Sequence, residues 1–293
     1  MSQQKHKHCL ICDSRNLKTL ERYRKAYLVN CTDCGFTFSS EIPSAAELQA
    51  HYQKYGRNDY LSPITIKRYH EILDGFEKYR KNNRLLDVGC GIGYFLKEAQ
   101  KRGWEVYGTE FTDEAIELCE SKGIKMKKGM LDKSMFPENY FDVVTYFEVI
   151  EHINNPTEEI ANMHEVIRPG GVCYMTTPNF NGLSRHCLKE EYNVITYPEH
   201  LSYYTPKTLS NLFKTHGFRT VNLKTTGISL TRIRTSLGTS DQAYISEKSD
   251  DELIRKKIEK SSFLKVAKNL VNESLTLFNA GDSIKGHFEK VEK

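Results

Sequence analysis

The run RLLDVGCGIGYFL, from Arg84 to Leu96, restricts the fold more tightly than any other part of the chain. Leu85, Leu86 and Val88 read as a short buried strand, and Phe95, Leu96 and Ala99 as the apolar side of a helix that follows. Between them Gly89, Gly91 and Gly93 make a tight turn where the backbone can approach a ligand and the helix start can offer it free N–H groups. A dinucleotide site would want G-x-G-x-x-G, with a diphosphate over the helix. Here the glycines recur at every second residue and Asp87 closes the strand. An acid there repels a diphosphate and suits an ammonium or a hydroxyl.

Further strand and helix patterns continue the unit. WEVYGT (104–109) alternates as a second strand and ends at Glu110, 23 residues after Asp87, where a carboxylate can accept hydrogen bonds from ribose hydroxyls. A helix over 112–121 and a third strand over 124–129 follow, with Leu131 and Asp132 in the next loop. FDVVTY (141–146) is a fourth strand, a helix runs from Pro156 to Ile167, and RPGG opens a fifth strand, VCYMTTPN. Successive strand–helix units predict an α/β, Rossmann-like, doubly wound and mostly parallel sheet. Residues 205–216 read as a helix bounded by Pro206 and Gly217, and 218–226 as a strand. Residues 246–278 read as amphipathic helix, and the alternation of Ile284, Gly286 and Phe288 predicts a last, antiparallel strand that makes seven.

Ahead of this domain, Cys9, Cys12, Cys31 and Cys34 form two C-x2-C knuckles separated by eighteen residues. Two thiolate pairs at this spacing supply four ligands for a tetrahedral, structural Zn2+ in a zinc ribbon, where the metal stands in for a core. A strand over Ala26 to Asn30 leads into the second knuckle. Ser44 with Glu47 signals a helix start, and a second helix spans Ile64 to Tyr79 in a linker dense in tyrosine (Tyr52, Tyr55, Tyr60, Tyr69). The expected organisation is a ribbon over 1–42, a helical linker or lid over 43–81, and the α/β domain over 82–293 with a helical insertion at 227–280.

Net charge adds limits. Lys and Arg number 42 against 38 Asp and Glu, a net +4 without the basic stripe that nucleic acid demands. No apolar run reaches the roughly 20 residues of a membrane span, and the polar start MSQQKHKHC lacks a signal-peptide core, so the expected location is the cytoplasm.

Taken in order, LLDVGCGIG, Glu110, FDVVTYFEVIEHI and RPGGVCYMTTPN resemble the motifs of class I S-adenosylmethionine-dependent methyltransferases. The chain is similar to ubiquinone-type O-methyltransferases and to bacterial sugar methyltransferases, which often carry a four-cysteine ribbon in front. The resemblance implies S-adenosylmethionine as cofactor, with Asp87, Gly89 and Gly91 of the glycine run ending at Gly93 around its methionine part, Glu110 at the ribose, Phe111 and Asp132 at the adenine, and Phe147 on the far side. It also implies a small-molecule acceptor: a sugar, nucleotide-sugar or glycan precursor, O-methylated in preference to C-methylated.

Two candidate bases stand out. Tyr197, Glu199 and His200 in YPEHLSYY match a Tyr, Glu-His arrangement implicated in catalysis in sugar C-methyltransferases. Glu148, Glu151 and His152 form an E-x-x-E-H run whose helical spacing would put three ligands for a divalent cation on one face, as in some ubiquinone-type relatives, with His152 an alternative base. The rival functions are methylation of RNA held by the ribbon, and a non-catalytic role in binding cofactor or partners.

Overall fold

The computed structural model describes residues 4–44, 47–48, 60–239 and 247–291. The helix expected beyond Ser44, and Tyr52 and Tyr55 with it, lie outside these apart from Glu47 and Leu48. There Ser44 and Glu47 make the reciprocal capping bonds, Glu47 N–H to Ser44 Oγ (3.2 Å) and Ser44 N–H to the Glu47 carboxylate (2.8 Å).

In chain order the ribbon strands are β1 (Leu17–Thr19), β2 (Leu28–Cys31) and β3 (Thr37–Ser39), followed by helix α1 (Pro63–Phe76). Next come β4 (Arg84–Val88), α2 (Tyr94–Lys101), β5 (Glu105–Glu110), α3 (Asp113–Ser121) and β6 (Lys125–Lys128). They lead to β7 (Phe141–Phe147), α4 (Pro156–Val166), β8 (Ile167–Pro178), α5 (Leu183–Leu188) and β9 (Ser202–Tyr203). The remaining elements are α6 (Pro206–Thr215), β10 (Phe218–Thr226), α7 (Leu230–Ser236), α8 (Asp250–Glu259), α9 (Ser262–Leu277) and β11 (Ser283–Lys290).

The main sheet has seven strands in the order β10-β11-β8-β7-β4-β5-β6. Every pair from β8 to β6 is parallel, and β11 inserts antiparallel to both β8 and β10. This is the architecture expected from the alternating pattern. The period-2 run in β11 buries Ile284, Gly286, Phe288 and Lys290, and Phe288 stacks on Phe213 of α6 at 3.7 Å between ring centroids. Among the described residues no helix is long and apolar enough to cross a membrane.

Two boundaries differ from the sequence reading. β8 starts at Ile167 and runs through RPGG, because Ile167 pairs with Phe141 and a bulge then restores register at Val172. In the ribbon, Ala26 and Tyr27 belong to a 3-10 turn and its left-handed cap (Tyr27 φ 56°), leaving the strand to start at Leu28.

The ribbon is built into the rest of the chain. Its sheet has the order β1-β2-β3-β9, so its fourth strand comes from the segment just after His200. Thr37 and Phe38 pair with Tyr203 and Ser202, and Ser39 N–H donates to the Leu201 carbonyl at 2.8 Å. Cys9, Cys31, Phe36 and Phe38 share one buried cluster with Leu86, Val88, Ile150 and Tyr204.

A buried ion pair braces the opposite end of the sheet. Asp142 Oδ2 accepts the backbone N–H groups of Lys81, Asn82 and Asn83 at 2.7 to 3.0 Å, and Oδ1 accepts from Arg168 Nε at 2.6 Å. Burial pushes the Asp142 carboxyl up, but Arg168 and the backbone donors outweigh it and hold it below the usual carboxylate range. Its stabilisation is therefore present above the unfolded carboxyl pKa and is lost as pH falls through the folded value. Asp142→Asn leaves Arg168 buried with its charge unpaired and is expected to cost about 3–5 kcal/mol in urea unfolding at pH 7. The double variant D142N/R168M should recover part of that loss.

Candidate active site

The glycine turn explains its own composition. Gly89, Gly91 and Gly93 all have positive φ (66°, 53° and 74°). A Cβ on Gly89 would come within 2.8 Å of Val149 Cγ2, and one on Gly93 within 2.7 Å of Ile124 Cδ1. A Cβ on Gly91 would meet no atom of the described residues within 4 Å, so this side of the turn is open toward them at the carboxyl end of β4. Such an opening is what a ligand approaching the turn requires.

Asp87 is buried beside this opening and accepts a hydrogen bond from Thr145 Oγ1 at 2.6 Å. Burial raises its carboxyl to about 8, with the Thr145 bond opposing the shift. An acid held this way gains its charge back when a cation arrives. Glu110, at the end of β5, braces the turn by accepting from Gly91 N–H (2.9 Å) and Phe111 N–H (2.7 Å). Phe111 is exposed. Asp132 caps a 3-10 turn by accepting from Ser134 N–H at 2.8 Å. Phe147 belongs to an aromatic wall with Phe95 (4.9 Å), Tyr174 (5.6 Å) and Tyr69 of α1 (6.2 Å), which lays the linker helix over the cleft. The seven cofactor-binding candidates in the glycine turn and at the ends of β4, β5 and β7 thus share one edge of the sheet, with Asp132 in the loop after β6.

The two candidate base motifs meet. One ligand atom each from Glu151, His152 and His200 lie within 4.8 Å of one another, and the two imidazole rings pack edge to face at 4.8 Å. His152 Nδ1 is bonded to the Glu199 carbonyl (2.7 Å) and His200 Nδ1 to the Val194 carbonyl (2.6 Å). A carbonyl only accepts, so both rings carry their proton on Nδ1 and present Nε2 as the basic nitrogen. Burial, and then the neighbouring His152, lower His200 to about 4, which keeps it neutral near pH 7. Glu151 is buried, accepts from Thr177 Oγ1 at 2.9 Å, and is pushed well up by burial and by Glu148. Glu151, His200, Tyr192, Val194 and Tyr203 line a small cavity at this point.

This grouping alters the cation set read from E-x-x-E-H. Glu148 has left-handed backbone (φ 54°) and Ile150–His152 is a single 3-10 turn, so the motif has no continuous helical face. His200, from a distant loop, takes the place expected for Glu148. Glu199 contributes its backbone carbonyl to His152, a role with no signature in sequence. Tyr197 is placed away from this role: its ring packs on Tyr27 of the ribbon at 5.0 Å, and its buried hydroxyl has no hydrogen-bond partner among the described residues.

Cys9, Cys12, Cys31 and Cys34 converge as the spacing predicts. Sγ–Sγ distances are 3.5 Å (Cys9–Cys34) and 3.6 Å (Cys12–Cys31), and all four sulfurs lie within 4.8 Å of one another. Four sulfurs about 2.3 Å from a tetrahedral Zn2+ would stand about 3.8 Å apart, so the cluster fits that ion.

The sequence profile of the methyltransferase domain matches residues 58–223, more than half of the chain. The chain belongs to the methyltransferase family. Among curated relatives, the methyltransferase is 27% identical over 128 residues to the ubiquinone biosynthesis O-methyltransferase of Alkalilimnicola ehrlichii, covering 41% of this chain and 50% of that one. It is 32% identical over 106 residues to the Saccharophagus degradans protein of the same name, covering 33% and 44%. The methyltransferase spans about half the length of the curated relatives it matches. A crystal structure of an S-adenosylmethionine-dependent methyltransferase from Archaeoglobus fulgidus superimposes with a TM-score of 0.53 at 18% identity, covering 84% of this chain and all of that one. Phosphoethanolamine N-methyltransferase 2 of Haemonchus contortus, solved with S-adenosylmethionine, gives a TM-score of 0.50 at 19% identity, covering 85% of this chain and 58% of that one. At these identities the likeness establishes the fold: the methyltransferase has the class I architecture.

Proposed function

We propose that this methyltransferase transfers a methyl group from S-adenosylmethionine to a hydroxyl of a sugar, nucleotide-sugar or related glycan precursor in the cytoplasm, with His200 as general base. The observation that carries the reading is the oriented, neutral His200 on the same sheet edge as the glycine turn. Bound S-adenosylmethionine supplies an electrophilic methyl group on a sulfonium sulfur. Asp87 would meet its ammonium, the open backbone of Gly91 its methionine part and Glu110 its ribose, with Gly89 and Gly93 shaping the turn. Phe111 and Asp132 would hold the adenine, and Phe147 the far side. His200 Nε2 takes the acceptor's proton while the site holds the oxygen in line, and orientation itself contributes several kcal/mol. Zn2+ in the four-cysteine cluster would be structural, because four protein ligands leave no open position.

Calorimetry with S-adenosylmethionine tests the cofactor site. Because Asp87 is raised to about 8 in the free protein, affinity should increase as pH rises from 6 to 9. Asp87→Asn should weaken binding about 10- to 100-fold at pH 8, the weight of a charged hydrogen bond, and flatten the pH dependence. Wild-type protein that fails to bind would sink the enzyme reading. A screen of nucleotide-sugars for methyl transfer then tests the acceptor.

A second reading is favoured by the Glu151, His152 and His200 cluster, which could hold a divalent cation through one carboxylate oxygen and two Nε2 atoms. Such an ion would acidify the acceptor hydroxyl. Metal content separates the two: one zinc per chain for the base alone, two metals per chain for the cation.

A further inference from the structure

We propose that Arg68, Arg255, Lys268 and Lys285 form a seat for a phosphate or diphosphate group of the acceptor, a specificity site that rests on the methyl-transfer reading and extends it to an anionic substrate. The four cations come from four elements that the fold gathers on one side of the sheet. On β11, His287 packs against Phe76 of α1 at 6.4 Å and against Tyr174 at 4.7 Å, so Lys285, two residues earlier, points to the same α1-covered face. On α1, Arg68 lies on the stripe of Ile72 and Phe76 and is directed to that face. α8 is clasped to α1 at both ends, by Ser62 Oγ to Glu252 at 2.5 Å and by Lys67 Nζ to Glu259 at 2.6 Å. Arg255 sits between these clasps, on the helix face of Glu252 and Glu259. Lys268 lies on α9, and Arg68, Arg255 and Lys268 all act electrostatically on Lys285.

The acids in the neighbourhood are Glu71, Glu148, Glu252 and Glu259, and the cations Arg68, Arg255, Lys268 and Lys285 with Lys67 and Lys265 outnumber them. Glu252 is engaged by Ser62 and Tyr60 and stands 3.8 Å from Arg255, and Glu259 is engaged by Lys67 and Lys265. Glu148, which follows β7, is the carboxylate that acts on Lys285. Burial, followed by Arg68, lowers Lys285 to about 8. Half-buried cations held together at this cost are stabilised by an anion that enters among them, and guanidinium groups suit the oxygens of a phosphate.

The placement also fits the chemistry. Lys285 pairs in register with Thr176, whose carbonyl accepts the Glu148 N–H at 3.1 Å, and Glu148 neighbours Glu151 of the histidine cluster. An acceptor anchored at the cations by its phosphate would therefore lie along the carboxyl edge of the sheet with its sugar toward His200. Arg232 of α7 acts on Glu148, Glu151 and His200.

The test is titration of the full-length protein with inorganic pyrophosphate and, separately, orthophosphate by calorimetry, with S-adenosylmethionine affinity measured on the same samples. Saturable pyrophosphate binding that weakens at least tenfold in R68Q/K285Q and separately in R255Q, but not in R219Q, which pairs with Glu289 at the opposite end of β10, is the expected result. Tighter binding of pyrophosphate than of orthophosphate identifies a diphosphate seat, and the reverse a monophosphate seat. If R68Q/K285Q fails to fold, R255Q and K268Q on the helical insertion carry the same readout. Pyrophosphate and orthophosphate both failing to bind while S-adenosylmethionine binds overturns the site and leaves the methyl-transfer reading standing. Anion binding unchanged in the variants overturns it as well. Loss of S-adenosylmethionine binding in wild type strikes the methyl-transfer reading instead.

Discussion

His200→Ala is expected to lower turnover by about 10²- to 10⁴-fold, the range for removing a general base, while S-adenosylmethionine binds within a few-fold of wild type. The separation follows from placement: Asp87, Glu110 and the glycine turn sit on β4 and β5, and His200 lies in the loop that leads into β9. The pH profile carries the sharper signature. With His200 lowered to about 4, the base remains competent well below pH 6, so the acid limb attributable to His200 should fall near pH 4 and not near the usual imidazole value of about 6.5. His152→Gln removes a neighbour that disfavours the protonated form, so it should move this limb upward while retaining part of the activity. Turnover of H200A equal to wild type would remove His200 from the mechanism.

Loss of the four-cysteine metal is expected to be comparably severe, although those sulfurs belong to a separate sheet. Cys31→Ser should abolish the zinc binding proposed for the cluster, measured by elemental analysis, and drop the melting temperature, since apparent binding energies of structural zinc are about 10–16 kcal/mol. Its effect should reach the chemistry through β3. Once β2 and β3 lose their knuckles, the pairing of Thr37 and Phe38 with β9 and the bond from Ser39 to Leu201 are no longer supported. Leu201 N–H also donates to the Glu151 carbonyl at 2.8 Å, which ties the same segment to the second member of the cluster. Turnover should therefore fall at least tenfold more than cofactor affinity does. A variant that loses zinc and keeps its kcat would show that the ribbon serves something else.

Much of the architecture was legible because it rests on period. The apolar run of β4, the alternation of β11 and the Pro206 and Gly217 bounds of α6 were all visible in the sequence. The cysteine knuckles were equally readable, since their spacing carries the geometry. What escaped has no period. β9 is two residues long and pairs with a strand far behind it in the chain. The E-x-x-E-H spacing looked helical, but left-handed Glu148 interrupts the helix, and backbone carbonyls of Glu199 and Val194 orient the histidines. The cation group draws one side chain from each of α1, α8, α9 and β11, and none of those segments is basic enough to mark it.

The inserted position of β11 has a consequence for how the protein is made. Synthesis proceeds from the N-terminus, and among the described residues β10 has no neighbour in the sheet except β11. Until Ser283–Lys290 leaves the ribosome, β8 presents an open edge and β10 waits unpaired. A nascent chain stalled before that point would already hold the cofactor turn, yet lack both the closed sheet and Lys285. Such a chain could take up the methyl donor and expose a sticky strand edge to its neighbours on the polysome.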